Sequence, residues 1–209
     1  MTTYKGIHGL KVQHVTTDSV ASQAAGGSWS SGGSLNTGRR AQASAGIQTA
    51  ALSIGGTPPT TGKTESYNGS SWTETGDANT ARREASGAGT TTAALFFGGA
   101  YSNSALNESF NGSSWTEVGD LNTARGQMQS GTGGTNTAAI ASGGSPGMDN
   151  VETWDGSSWT ETTEINTGRG LLAGGGTQTA QIIFGGGASP YYALTEIYNG
   201  SSWTEVSDL

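Results

Sequence analysis

Four arginines (Arg39, Arg82, Arg125, Arg169) and four glutamates (Glu65, Glu108, Glu152, Glu196) recur at nearly constant spacing through a chain of 209 residues. Opposite charges in such a pattern can pair as buried ions that satisfy one another, or converge in one pocket as acid and base. Four copies spread along the chain cannot all belong to one active site, so the pairs are expected to be structural. Other reactive groups are sparse. His8 and His14 are the only histidines and lie outside the repeated region, and the chain has no cysteine, which excludes disulfides and thiolate metal sites. Ser113, Ser114 and their counterparts have no histidine beside them in the repeat, so a serine nucleophile lacks its base. The segments "GDANT" and "GDLNT" could hold calcium, but the corresponding "TEINT" lacks the Asp-Gly pattern of a calcium loop. Neither an enzyme nor a cofactor is expected.

The octapeptide "YNGSSWTE" at residues 67–74 returns at 198–205, with close copies "FNGSSWTE" at 110–117 and "WDGSSWTE" at 154–161. Asn68, Asn111 and Asn199 each open an Asn-Gly-Ser triplet, which reads as a glycan acceptor. In the remaining copy Asp155 destroys the acceptor and keeps a dipeptide suited to a tight turn. The variation preserves turn chemistry, so a structural hairpin is expected there.

These turns must join strands. Trp29, Trp72, Trp115, Trp159 and Trp203 fall 43 or 44 residues apart, and the glycine pairs at 55–56, 98–99, 143–144 and 185–186 keep step. A strand-rich repeat of this length points to a β-propeller built from four-stranded blades. From Arg82, "RREASGAG" reads as the innermost strand and "AALFFGG" as an apolar strand closed by glycines. "LNESF" is then the third strand and "WTEV" the outer one. Small residues in the inner strands suit convergence on an axis. The fold class is therefore all-β, with about five four-stranded blades, the N-terminal one degenerate. Residues 29–209 carry the repeats, and residues 1–28 form either a docking arm or that degenerate blade.

Composition sets further limits. Glycine supplies 36 residues and proline 4, which suits short strands and turns, and regularly spaced aromatic residues argue against a disordered chain. A net charge of −7 with nine Lys and Arg in total disfavours nucleic acid and anionic membranes as partners. No stretch is apolar enough for a signal peptide or a membrane span, so membrane insertion is not expected.

The apolar strand with its glycine pair, followed by Glu108, Phe110, a turn, Trp115 and Thr123-Ala124-Arg125, resembles the kelch repeat, and equivalents occur in all four repeats. That resemblance assigns structural roles to the arginines and glutamates above and to Trp72, Trp115, Trp159 and Trp203. More narrowly, "NGSSWTEVGDLNTAR" and the opening "TYKGIHGLKVQHVTTDS" are similar to kelch-like repeat structural proteins of marine tailed bacteriophages. The resemblance implies a non-enzymatic virion protein, displayed on the particle surface for attachment or capsid decoration and oligomeric there. It implies docking to other virion proteins through the N-terminal segment, with Tyr4, His8, Lys11 and His14 as candidates. The alternative is a multivalent lectin whose repeated blades bind sugars.

The repeats differ most at 57–63 ("TPPTTGK"), 100–105 ("AYSNSA"), 145–150 ("SPGMDN") and 187–193 ("GASPYYA"). Divergent loops on a constant scaffold are how a binding face is built. Tyr101, Met148, Tyr191 and Tyr192 are its candidate contacts, with a host surface protein or glycan as the partner.

Overall fold

The structure is a computed structural model that describes residues 30–100, 104–128, 133–187 and 190–209. The chain divides into two units, residues 1–31 and 32–209, of which the second is all-β. Its first blade comprises β1 (Ala43–Ile47), β2 (Ala50–Ile54), β3 (Thr64–Tyr67) and β4 (Trp72–Glu74). The second comprises β5 (Ser86–Thr90), β6 (Ala93–Phe97), β7 (Asn107–Phe110) and β8 (Trp115–Val118). The third comprises β9 (Gly133–Thr135), β10 (Ala138–Ser142), β11 (Val151–Trp154) and β12 (Trp159–Thr162). The fourth comprises β13 (Ala173–Thr177), β14 (Ala180–Phe184), β15 (Thr195–Tyr198) and β16 (Trp203–Val206). Each blade is an antiparallel sheet with its strands in chain order, and together they form a β-propeller.

Period-two alternation in each strand gives every blade two faces. The second strand is apolar on both because it lies between neighbouring blades. In β6, Leu95 and Phe97 point with Ala88 toward the third blade, where Ala139, Trp154 and Trp159 receive them. Ala94 and Phe96 of the same strand pack back on Leu52 and Ile54 of the first blade. Ile140 and Val151 repeat this arrangement against Ile183, Tyr198 and Trp203. The core is therefore three apolar layers between consecutive blades.

The inner strands follow in order, β1 on β5, β5 on β9 and β9 on β13. Their small residues permit that approach, and a Cβ on Gly87 would lie 2.7 Å from the Ser44 carbonyl oxygen. Where the chain enters each blade, Ala41, Glu84, Gln127 and Leu171 take φ of 54° to 57°. Such angles are uncommon for residues with a side chain. Here they orient backbone hydrogen bonds between blades, with Glu84 N donating to Ala41 O at 2.8 Å and Leu171 N to Gln127 O at 2.8 Å.

The described residues form four blades, where the sequence leads to an expectation of about five. The reason lies in the repeat itself: only four copies of the apolar strand with its glycine pair exist, and each sheet uses one. Trp29 and residues 1–28, on which a degenerate blade would fall, lie outside the described residues. The repeat pattern nonetheless reaches upstream of the first blade. Gly33 O accepts a hydrogen bond from Trp72 Nε1 at 3.1 Å, as Gly76 O does from Trp115 Nε1 at 2.9 Å.

The two end blades present faces that no described residue covers as the inner ones are covered. Leu95 and Ile140 are 0% exposed, whereas their counterpart Ile182 on the fourth blade is 40% exposed and its cross-strand neighbour Ile197 is 41% exposed. At the other end, Tyr67 and Trp72 are half-buried, while their counterparts Phe110 and Trp115 are buried.

Candidate functional site

The arginine at each blade's entrance reaches the glutamate on that blade's own third strand. The pairs are Arg39–Glu65 at 2.6 Å, Arg82–Glu108 at 2.7 Å, Arg125–Glu152, and Arg169–Glu196 at 2.5 Å, all buried. Glu108 thus belongs with Arg82 of its own blade, and Arg125 belongs with Glu152 of the next. The arginine lies beneath its own blade's connection between strands two and three. Arg82 Nη1 donates to Gly98 O at 3.1 Å and to Leu106 O at 2.6 Å, closing the glycine bend over the third strand. Arg125 Nη1 does the same through Asn150 O at 2.7 Å.

The second carboxylate oxygen meets a residue that the sequence reading passed over. Asn36, Asn79, Asn122 and Asn166 donate their backbone N–H to Glu65, Glu108, Glu152 and Glu196 at 2.7, 2.6, 2.7 and 2.8 Å. The Asn36, Asn79 and Asn122 side chains also hold the carbonyl of the tryptophan that opens the outer strand, Asn122 Nδ2 to Trp159 O at 2.8 Å. The signal was present as the invariant Asn-Thr of "GDANT", "GDLNT" and "TEINT", which drew attention only as a calcium candidate. Its chemistry is to fasten one blade's exit to the next blade's third and fourth strands.

Burial alone would push the Glu65 carboxyl up, but the Asn36 N–H and the Arg39 guanidinium outweigh it and hold the group below its ordinary value. Burial pulls the Arg82 and Arg125 guanidiniums down, opposed by Glu108 and Glu152. Each carboxylate accepts on both oxygens, from the arginine on one and from the asparagine N–H on the other. Among the described residues no group of three or more His, Asp or Glu could hold a metal ion.

The Asn-Gly-Ser-Ser segments are turns between the third and fourth strands. Asn111 Oδ1 accepts from Ser113 N and Ser114 N at 3.0 Å each, and Asp155 Oδ1 accepts from Ser157 N and Ser158 N at 2.8 Å each. The positive φ falls on the glycine, 97° at Gly112 and 99° at Gly156. The four aromatic pairs beside the turns are Tyr67–Trp72, Phe110–Trp115, Trp154–Trp159 and Tyr198–Trp203, with centroids 4.9 to 5.5 Å apart. Trp159 differs from the others, since its Nε1 is buried without an acceptor while Gly119 O accepts from Asn107 Nδ2 at 3.1 Å.

The divergent loops lie at the opposite ends of the blades from these turns. There, a cavity of about 310 Å³ opens between the third and fourth blades, lined by Gln127, Pro146, Gly147, Arg169, Pro190 and Tyr192 among others. Of the candidate contacts, Tyr192 is in its wall, and Met148, half-buried, follows the lining residue Gly147 in the chain. Tyr191 is 81% exposed and does not line the cavity. Tyr101 lies outside the described residues, as do Tyr4, His8, Lys11 and His14. Arg169 differs from its counterparts here. Its Nε donates to Gly185 O at 2.9 Å, and its buried Nη2 has no partner, whereas in the other three blades Nε is the atom left over. A second cavity, of about 490 Å³, is lined by the inner-strand tips, including Gly46, Gly89, Gly134 and Gly176, at the turn end of the blades. Compared with models of protein families and with curated proteins, the chain matches none.

Proposed function

We propose that this chain is a non-enzymatic component of a phage particle, a kelch-like propeller displayed on head or tail that attaches to a host surface protein or glycan or decorates the capsid. The virion assignment rests on the resemblance of the "NGSSWTEVGDLNTAR" repeat and the "TYKGIHG" opening to phage structural proteins. The binding role rests on one contrast within the molecule. The repeated polar groups are consumed by the blades, while the polar and aromatic groups that do not repeat gather in the loops. Tyr192, Pro146 and Pro190 supply flat apolar surface around the cavity, and Gln127 brings an amide. Docking to other virion proteins is assigned to residues 1–28.

Immunogold labelling of purified particles with an antibody against the chain tests the location. Label on the particle surface is expected, and a chain found only in the infected-cell lysate overturns the reading. For the binding role, Tyr192→Ala should lower attachment of the purified chain to host cells, with Ser113→Ala on the opposite end leaving it unchanged. The four equivalent exposed turns favour a second reading, a multivalent lectin. A glycan array separates the two: sugar binding lost on Ser113→Ala and kept on Tyr192→Ala supports the lectin.

A further inference from the structure

The uncovered face of the fourth blade is built like an interface. Ile182 and Ile197 are directly paired across β14 and β15, and Val206 lies beyond Thr195 on the same face. All three are exposed, and Leu209 follows them at the chain's last position. In the first three blades the position of Ile197 is Ser66, Ser109 or Thr153. The blade whose outer face no described residue covers therefore carries an isoleucine where blades facing a neighbour carry a hydroxyl. A sheet face meant to stay wet would show the reverse.

The opposite end of the propeller offers the matching part. At each inner interface the incoming blade presents an aromatic pair, Phe110–Trp115, Trp154–Trp159 or Tyr198–Trp203, to the apolar face of the blade before it. Tyr67–Trp72 on the first blade is the same pair, with centroids 5.0 Å apart, and is only half-buried. Gly33 O and Asn36 already hold Trp72 as the linker of a preceding blade would. Within one chain these two ends do not meet through their inner strands, since β13 and β1 do not pack as the consecutive pairs do among the described residues.

We infer that the fourth-blade face is occupied by a second copy of this chain, whose Tyr67–Trp72 face docks on Ile182, Ile197 and Val206. The joint continues the interface that already binds blade to blade, and it is heterologous: a front face meets a back face. Such a joint closes into a ring if its rotation permits, and otherwise extends as a chain. The second copy brings its own Gly33–Thr37 linker, the counterpart of Ser207–Leu209, so docking requires Leu209 to release the hydrogen bond that its N–H donates to Ala193 O at 3.1 Å. Each copy carries a net charge of −7. The copies repel one another, and added salt strengthens the association.

Sedimentation of the full-length chain over a wide range of concentrations tests this. The wild type should associate reversibly, more tightly at high salt. Ile182→Lys and Tyr67→Lys, at opposite ends, should each weaken association by roughly tenfold or more, the consequence of losing about one buried apolar side chain. Ile197→Ser, which restores the residue type of the other blades, guards against misfolding and should weaken it in the same direction. Mixing Ile182→Lys with Tyr67→Lys should restore one-to-one dimers, because each retains the face the other has lost. A monomeric wild type, as expected if residues 1–29 or a different protein cover the face, overturns the proposal. So does a mixture that stays monomeric.

Discussion

The third and fourth blades have nearly the same sequence plan and opposite surroundings. Both hold a buried Arg–Glu–Asn clasp, a glycine bend and an aromatic pair at the turn. Ile140 of the third blade is sealed under Tyr198 and Trp203, and Ile182 of the fourth is open. The difference separates two kinds of stabilisation. Polar clasps are internal to a blade and its incoming linker, so a blade can form them wherever it sits. Apolar cover is a property of the pair, and no described residue supplies it to the outer face of the fourth blade.

The largest effects should fall on the clasp and be indifferent to position. Removing one partner of a buried pair leaves an uncompensated charge and costs about 3–5 kcal/mol. Arg125→Ala and Arg169→Ala should both reach that range, measured by chemical denaturation, since both arginines are fully buried against their glutamates. A loss confined to Arg125 would break the comparison, because the clasp would then depend on a covering blade. Neither variant should resemble removal of Lys63, whose pair with Glu74 is exposed.

Cover should behave in the opposite way. Leu95→Ala deletes side-chain volume in a sealed layer and should destabilise by about 2–5 kcal/mol. Ile182→Ala at the equivalent position should cost under about 1 kcal/mol when measured dilute, where no second copy is bound. Equal losses at the two positions would mean that the fourth-blade face is covered within a single chain.

Much of this was legible beforehand for a physical reason. A blade cannot bury its faces alone, so whatever makes blades must repeat, and the repeat displayed the strands, the turns and all four ion pairs as residue types at fixed spacing. The partner of each glutamate was harder to read. Arg125 follows Glu108 by fewer residues than Glu152 follows Arg125, yet the chain passes into the next blade between Glu108 and Arg125. Asn122 was visible as a repeated letter, but its task is done largely by a backbone N–H, which no side-chain pattern announces. Blade number was the least legible quantity, because Trp29 keeps the period without the apolar strand that a sheet requires. The cavity beside Tyr192 arises where the repeats diverge, and periodicity has nothing to say there.

The smallest effect distinguishes two blades that are both covered. At their turns the second blade uses Asn111 and the third uses Asp155 to bind the same pair of serine N–H groups. Only the aspartate titrates. The backbone N–H groups of Ser158 and Ser157, with the Ser157 hydroxyl, stabilise its charged form and lower its pKa from 3.8 to about 2. A carboxyl whose pKa is lower folded than unfolded contributes stability that is complete above the unfolded value and is lost as pH falls through the folded one. Wild type should therefore lose its margin over Asp155→Asn between about pH 4 and pH 2, with a constant difference in melting temperature above pH 5. Asn111→Asp should create the same acid limb in the second blade and, near neutral pH, add the margin that Asp155→Asn removes from the third. If the Asp155→Asn difference is the same at pH 2 and pH 6, the charge is irrelevant to the turn, and the two blades hold their serines by geometry alone.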